Sequence, residues 1–480
     1  MSTIKLPKKW DHESDVVIIG GGTAGLPASI KVAEAGFKAT VLETRKMLGG
    51  SFRMVWGSFN TAGSEEQKER GIKDTPKILY KDMVTVGGVD PEIAQTYADN
   101  QLEAYQMLRE EGIRFPGVIH LPGHSKARGL GSLSIGNIGV KMVNALENRA
   151  KRKGVEVLTE HRATRLIMNY DTGRVAGVIV EVGGKIKYFK ARKAVIIASG
   201  GFGRNKELVA EFAPDMVNCV PVMPPSHMGD GLKMALAVGA ATKDIGKAVA
   251  PAWPVDAVTH SNALRALNFG GIMVNNEGER FADESYPDSF YGPMTGAGML
   301  QSGGFYWVIY SHKTVEDLYK AGEAYGKGGG KDFSLALDRC KQIKAESIDE
   351  LAKATGIDAK GLKKTIDKYN NDIQKVGYDT VFGRKVQKGG IPTPIFKIDK
   401  GPFYAVKCVT STTSMKGGIK INGKCQVIDP YGDVIPGLYA AGEVAGGLCT
   451  KTYLLGVMTS ASCSQGIAAG KNAAKEPLSK

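Results

Sequence analysis

The sequence predicts an α/β fold in which a parallel sheet flanked by helices is built from two separate stretches of chain, with an α+β segment inserted between them. Three observations predict it. Residues Asp15–Glu43 read as strand, glycine turn, helix and strand in unbroken succession. A buried strand ending in glycine, Ile435–Ala441 followed by Gly442-Glu443, returns near the C-terminus. Between them the pattern changes to a pair of helices broken at Gly356, with many lysines from Lys313 to Lys400.

The first segment carries the most specific chemistry. Apolar Val16–Ile19 runs into Gly20-Gly-Gly22-Thr23-Ala24-Gly25, a G-x-G-x-x-G turn. In such a turn Gly20 permits the tight reversal, Gly22 lets backbone approach a pyrophosphate, and Gly25 lets helix pack on strand. The helix that follows presents free N–H groups and a positive dipole end to the phosphates. Glu43 lies eighteen residues past Gly25, placed to accept hydrogen bonds from a ribose diol. A glycine-rich turn alone is weak evidence of a nucleotide site. Here strand, turn, helix, strand and acid fall in register, which favours a dinucleotide over a purely structural turn.

The later elements follow from periodicity. Ile93, Tyr97, Leu102, Tyr105 and Leu108 recur at helical spacing, predicting a helix over 92–114. A second is predicted over 137–153, where Arg149, Lys151, Arg152 and Lys153 complement the dipole of its last turn. Short strands are predicted at Val155–Thr159, Arg165–Tyr170, Val175–Val182 and Lys185–Lys190, with Gly183-Gly184 as a hairpin turn. Ala194–Ala198 reads as another buried strand, 346–376 as two helices, and 459–474 as a final helix. The predicted division is a nucleotide domain over 1–245 and 400–480, with a capping or substrate segment over 246–399.

Bulk composition bounds the function. The chain has 480 residues, 42% hydrophobic and 23% charged, an ordinary globular balance. No apolar run reaches membrane-span length, and the first residues carry no apolar signal core, so the expected location is the cytoplasm. The six cysteines show no haem-attachment, iron–sulfur or CxxC spacing, and no metal site is expected. A net charge of +14 reads either as a solvated lysine-rich surface or as a device that steers an anionic substrate or docks an acidic electron carrier. No aromatic-interleaved basic run points to nucleic acid.

Several further motifs converge. They are Gly49-Gly50-Ser51, Ala198-Ser199-Gly200-Gly201-Phe202 with Asn205, Gly229-Asp230-Gly231, Gly271-Ile-Met-Val-Asn275-Asn-Glu-Gly278-Glu-Arg280-Phe281, and Gly437-Leu-Tyr-Ala-Ala-Gly442-Glu443-Val444. With the glycine turn, they make the chain resemble the fumarate reductase / 3-ketosteroid dehydrogenase group of FAD flavoproteins over nearly its whole length. The resemblance implies a Rossmann-like FAD-binding domain (GR2-type) with an inserted α+β cap. It also implies hydride exchange between flavin N5 and a carbon–carbon bond beside an electron-withdrawing group. Its cofactor contacts would fall on Gly20, Gly22, Thr23, Ala24, Gly25, Glu43 and Thr44. Gly49, Gly50 and Ser51 would approach the pyrophosphate or ribityl chain, and Ala163 the adenine. Ser199, Gly200, Gly201, Asn205 and Asp230 would continue the site, with Gly442 and Glu443 at the ribityl or ribose hydroxyls. Val457 and Met458 would open a helix whose N-terminus faces the flavin pyrimidine. No histidine is near Gly49-Gly50-Ser51 in sequence, so FAD is expected to be held non-covalently.

The departures from the family pattern narrow the substrate. Fumarate reductases carry an arginine shortly after the segment matching Arg280-Phe281; here Asp283-Glu-Ser-Tyr286-Pro287-Asp288-Ser-Phe-Tyr291 has none. Tyr453 stands where those enzymes place a second arginine, and Thr412-Thr413-Ser414 where they place a histidine. A bidentate arginine clamp is hard to replace, which argues against fumarate or succinate. In ketosteroid dehydrogenases a tyrosine at the spacing of Tyr453, with a backbone N–H four residues later (here Val457), polarises a ketone. Tyr453 is therefore the candidate for ketone polarisation, against a core or flavin-packing role. Tyr286 and Tyr291 are candidates for proton transfer. Asp288 is a candidate base, against a turn cap beside Pro287; His120 is a candidate, against an ordinary packed histidine.

The expected function is an FAD-dependent oxidoreductase that reduces or introduces a C=C bond conjugated to a ketone in a cyclic or steroid-like enone, using a separate electron donor or acceptor. The alternatives are a reductase of another unsaturated carboxylate, clamped by Arg265 or Lys451, and a flavin electron-transfer subunit with no substrate of its own.

Overall fold

The computed structural model describes residues 6–54, 59–115, 117–121, 123–131, 137–256, 266–267, 269–284, 293–324, 341–385, 395–448 and 454–479. Strand β1 (His12–Ile19) leads through the glycine turn into helix α1 (Gly25–Glu34) and strand β2 (Ala39–Leu42). Val16, Val17 and Ile18 are wholly buried, as a strand covered on both faces requires. Helix α2 (Pro91–Glu110) starts with the side chain of Asp90 accepting from the Glu92 N–H and with proline in its first turn. Helix α3 (Asn137–Arg152) leads to β3 (Glu156–Leu158).

Strands β4 (Arg162–Asn169), β5 (Arg174–Val182) and β6 (Lys185–Ile197) follow as a meander. Gly183 and Gly184 join β5 to β6 with φ of 55° and 76°, the left-handed pair a tight hairpin needs. The two strands expected at 185–190 and 194–198 are one continuous strand. Its first half pairs antiparallel with β5, and it runs parallel to β1 along most of its length. Lys193 lies between the two expected strands. Its ammonium reaches the Glu476 carbonyl, so the charge is satisfied without interrupting the ladder.

Helix α4 (Asp230–Ala237) and strand β7 (Thr242–Val249) close this part. The chain then forms β8 (Ala252–Pro254), β9 (Ile272–Val274), β10 (Tyr306–Ser311) and β11 (Gln342–Ala345). Helices α5 (Ile348–Thr355) and α6 (Ala359–Val376) come next, with Gly356 ending the first in a left-handed cap. Strand β12 (Phe403–Thr412) pairs antiparallel with β8, β10 and β11, so it belongs to this second sheet. The pairing moves the second chain crossing from residue 400 to the Thr412–Ser414 junction. Strand β13 (Ser414–Ile419) pairs with β7, and β14 (Gln426–Ile428), β15 (Val434–Ala440) and helix α7 (Val457–Lys475) return to the first sheet.

Among the described residues the first sheet runs β14-β15-β6-β1-β2-β3, with β5 attached to β6 and β4 to β5. The β15–β6, β6–β1, β1–β2 and β2–β3 pairs are parallel. One core joins Val16–Val249 residues to Met415–Ala473 residues, with α1 packed on α7. The second sheet has a core on each face. Met273, Tyr306, Val308 and Val406 point to one and Ile272, Ile309, Phe403 and Ala405 to the other, the period-two alternation of a strand.

Candidate active site

The carboxyl ends of β1, β2, β6 and β15 converge on a cleft of about 1290 Å3, part of it open to solvent. In an open parallel sheet this end is where ligands bind. The glycine turn forms its floor. Gly20 has φ +103°, and a Cβ there would sit 2.4 Å from the Ala198 carbonyl oxygen. A Cβ at Gly25 would lie 1.9 Å from the Gly20 carbonyl oxygen, so Gly25 serves helix-on-strand packing and does not line the cleft. Gly22 and Gly50 do line it, and a Cβ at either meets no atom within 4 Å. Space is open at those positions for another group to press against bare backbone. The first residue of α1 follows Ala24, which offers no side-chain cap, so the helix N–H groups stay available.

Thr23, Ala24, Thr44, Gly49 and Ser51 also line the cleft. So do Ala163, Ser199, Gly200, Asp230, Gly442 and Met458. Glu43 is held before any ligand arrives: its carboxylate accepts from the Gly21 N–H at 3.0 Å and the Arg45 N–H at 2.9 Å. Burial pushes its pKa up, and those N–H groups oppose the shift. Asp230 is clamped by Arg162 through Nε–Oδ2 at 2.8 Å and Nη2–Oδ1 at 3.1 Å. Three expected residues stand behind the lining. Gly201 makes room for Glu443, whose Oε1 a Cβ would approach to 2.4 Å. Asn205 accepts from the Leu208 N–H to cap its helix and donates to the Met228 carbonyl. Val457 is buried at the start of α7.

Glu443 is buried, and desolvation pushes its carboxyl up to about 7 against one hydrogen bond from the Met415 N–H. His227 faces it, Nδ1 lying 3.7 Å from Glu443 Oε2. Burial, helped by Arg204 and Arg45, pushes that imidazole down to about 4. The sequence reading missed His227. In the fold its Nε2 lies 3.1 Å from Ser51 Oγ, across 176 residues of chain, so a histidine does stand beside Gly49-Gly50-Ser51. Its signal in sequence was only its place two residues before Gly229-Asp230-Gly231.

The opposite wall carries Val249, Thr413 and Ser414, together with Met458, Thr459 and Ser462 from the first turns of α7. That helix begins after Gly456 in a left-handed conformation with no side-chain cap, so its positive end opens toward the cleft. Among the described residues the lining includes no lysine or arginine. His120 lies elsewhere: its Nε2 is 2.8 Å from the His124 carbonyl. Arg280 is buried in the second sheet's periphery, paired with Glu284 and, at 2.8 Å, with Asp379. Tyr286, Asp288, Tyr291 and Tyr453 lie outside the described residues, as do Arg265 and Lys451.

A family model described as an FAD binding domain matches residues 15–458. The chain belongs to the FAD-binding-domain family. FAD is thus the dinucleotide that the glycine floor serves, and the open space at Gly22 and Gly50 suits its close approach. Within this family the chain is 29% identical to "Fumarate reductase (cytochrome)" of Shewanella frigidimarina, over 96% of this chain and 77% of that one. It is 30% identical to "Urocanate reductase" of Eggerthella lenta, over 98% of this chain and 76% of that one. Among solved structures it resembles a 3-ketosteroid-Δ4-(5α)-dehydrogenase of Rhodococcus jostii RHA1, with a TM-score of 0.76 and 25% identity over 99% of each chain. No helix among the described residues is long and apolar enough to cross a membrane.

Proposed function

We propose that this protein is an FAD-dependent oxidoreductase that reduces or introduces a C=C bond conjugated to a ketone, in a cyclic or steroid-like enone. The observation that carries this reading is the wall of the cleft. It presents the hydroxyl-bearing Thr413 and Ser414 and no cationic side chain among the described residues. A dicarboxylate would leave its charges unpaired there, whereas a ketone needs only hydrogen-bond donors. The full-length likeness to a ketosteroid dehydrogenase supports the same choice.

FAD, when bound non-covalently in the cleft, supplies the hydride acceptor or donor. The chain's own residues do the rest. The glycine floor and Glu443 hold and orient the cofactor. The N-terminus of α7 favours negative charge on the ring beside it. Tyr453 donates to the ketone oxygen and stabilises enolate charge as it develops; the Val457 N–H expected beside it instead reaches the Leu454 carbonyl at 3.2 Å. Tyr286 or Tyr291 passes the α-carbon proton, with Asp288 as the alternative base. His120 is given no step in this scheme: its Nε2 lies 2.8 Å from the His124 carbonyl and it does not line the cleft. Electrons come from or go to a separate carrier, since the sequence has no haem or iron–sulfur motif. The lysine-rich surface suits an acidic one. The cysteines at 219, 408, 425 and 463 are buried and form no disulfide among the described residues, which suits a reducing cytoplasm.

The urocanate reductase relative favours a second reading, an unsaturated acid other than fumarate, clamped by Arg265 or Lys451. One experiment separates them. The flavin is reduced anaerobically and mixed with cyclic enones, steroid enones, urocanate, fumarate and other unsaturated acids. Rapid reoxidation by ketone-bearing rings is expected. Reoxidation by an acid alone would replace the ketone reading with the second one. Cycling with a carrier but with no organic acceptor would make the protein an electron-transfer subunit.

A further inference from the structure

His227 is an unassigned side chain with an unmet hydrogen-bonding need inside the cofactor cleft. It is 3% exposed, and its backbone is fixed on both sides. Its N–H donates to the Pro224 carbonyl at 3.0 Å, and its carbonyl accepts from the Arg204 N–H at 3.0 Å. Asn205 holds the next residue by donating to the Met228 carbonyl. The ring is pressed over Gly200, where a Cβ would come within 2.6 Å of Nε2. This packing gives the imidazole little freedom to seek a partner elsewhere.

The two ring nitrogens have different fates. Nε2 lies 3.1 Å from Ser51 Oγ, while Nδ1 is buried and has no hydrogen-bond partner among the described residues. The Glu443 carboxyl, 3.7 Å from Nδ1, favours the tautomer that carries its proton on Nδ1. Ser51 then donates its hydroxyl proton to Nε2. What remains is a buried N–H donor beyond hydrogen-bond reach of Glu443. A group of this kind left unsatisfied is costly, which makes it a strong recognition element when a ligand supplies an acceptor. His227 lines the cleft between Ser51, Gly200 and Glu443. Of these, Ser51 is expected at the pyrophosphate or ribityl chain and Glu443 at the ribityl or ribose hydroxyls, the segment of FAD richest in oxygen acceptors.

We propose that His227 is an FAD ligand: its Nδ1–H donates to an oxygen of the diphosphate–ribityl segment, with Ser51 fixing the tautomer from the opposite side of the ring. The inference rests on the FAD reading of the cleft and adds a residue to it. Binding therefore satisfies a donor that the empty cleft leaves bare. Asparagine can mimic this because its amide nitrogen falls near the Nδ1 position. Glutamine cannot, because its amide falls near Nε2.

The test uses apoprotein made by removing flavin from the full-length chain, titrated with FAD while flavin fluorescence is followed. Thermal melting of the apoprotein is measured in parallel. His227→Ala is expected to raise Kd about tenfold or more, which corresponds to about 1.4 kcal/mol, without lowering the apoprotein melting temperature. His227→Asn is expected to recover most of that loss, and His227→Gln little of it. Wild-type affinity in His227→Ala would overturn the proposal and leave the FAD site standing. Equal weakening in all three variants would also overturn it, because the ring would then matter as packing. Failure of the wild-type apoprotein to take up FAD would instead defeat the underlying assignment of the cleft.

Discussion

The two sheets answer to different constraints. The first is parallel where it forms the cleft, and its strands are continuous apolar runs buried on both faces. At their carboxyl ends, backbone meets backbone with no space to spare. The second is antiparallel, alternates its side chains between two cores, and is braced by buried ion pairs. Arg280 joins Glu284 and Asp379, and Arg384 lies 3.4 Å from Glu284 while donating to the carbonyls of Gly271 and Leu267. The difference teaches where each sheet is vulnerable. The cleft fails when an atom is added, and the cap fails when a charge is removed.

The largest expected effect tests the first half of that contrast. Gly25→Val would drive carbon into the Gly20 carbonyl oxygen, against backbone that cannot yield. Purified protein should carry almost no flavin, read as the ratio of flavin to protein absorbance. Normal flavin content would mean that the floor is looser than its contacts indicate.

The cap should respond to charge in turn. Arg280→Ala removes the cationic partner of Asp379 and the nearer of the two cationic partners of Glu284, and should cost about 3–5 kcal/mol of stability in denaturant unfolding. Replacing all three with apolar residues of similar volume should recover much of it. If single and triple variants are equally unstable, packing and not charge pairing holds this region.

Next in size is the chemical step. Tyr453→Phe should lower turnover of an accepted enone by about 10²-fold with flavin content unchanged. Unchanged turnover would remove Tyr453 from the mechanism.

The smallest effect lies within the cleft and has a defined sign. Glu443 ionises near 4.5 when unfolded and near 7 in the folded apoprotein. The folded state thus keeps a proton that the unfolded chain has lost, and stability falls as pH rises from about 4.5 through about 7. His227 has the opposite sign, since its pKa falls from 6.5 to about 4: its contribution is lost as pH drops through that window. Above about pH 6.5 the Glu443 slope outweighs it. Apoprotein stability should therefore decline by about 1 kcal/mol or less from pH 6.5 to 8. Glu443→Gln should abolish the decline, and an unchanged slope in that variant would assign it to another group.

Much of the first sheet was legible because its signals are local. A G-x-G-x-x-G turn between an apolar strand and a helix is readable at contact distance along the chain. So are the αL glycine after α5 and the positive-φ pair at Gly183-Gly184. Errors arose where a local cue was overruled at long range. The gap between the strands expected at 185–190 and 194–198 closes, with the Lys193 ammonium satisfied by the Glu476 carbonyl. The stretch from Phe403 read as part of the nucleotide domain but finds its partners in β10 and β11. Asn205 and Gly201, expected at the cofactor, stand behind the cleft lining, Asn205 holding the Met228 carbonyl and Gly201 leaving room for Glu443.

The sequence by itself determined the cofactor class and much of the strand and helix order of the first sheet. Each of these depends on residue type at fixed short spacing, which backbone sterics and periodicity translate directly into structure. Only the tertiary structure decided that Ser51, His227 and Glu443 share one cleft and that Thr413 and Ser414 form its wall. Those facts depend on which strand ends the sheet brings together. Chain order carries no distance information across the 176 residues between Ser51 and His227, whereas parallel pairing sets that distance at 3.1 Å.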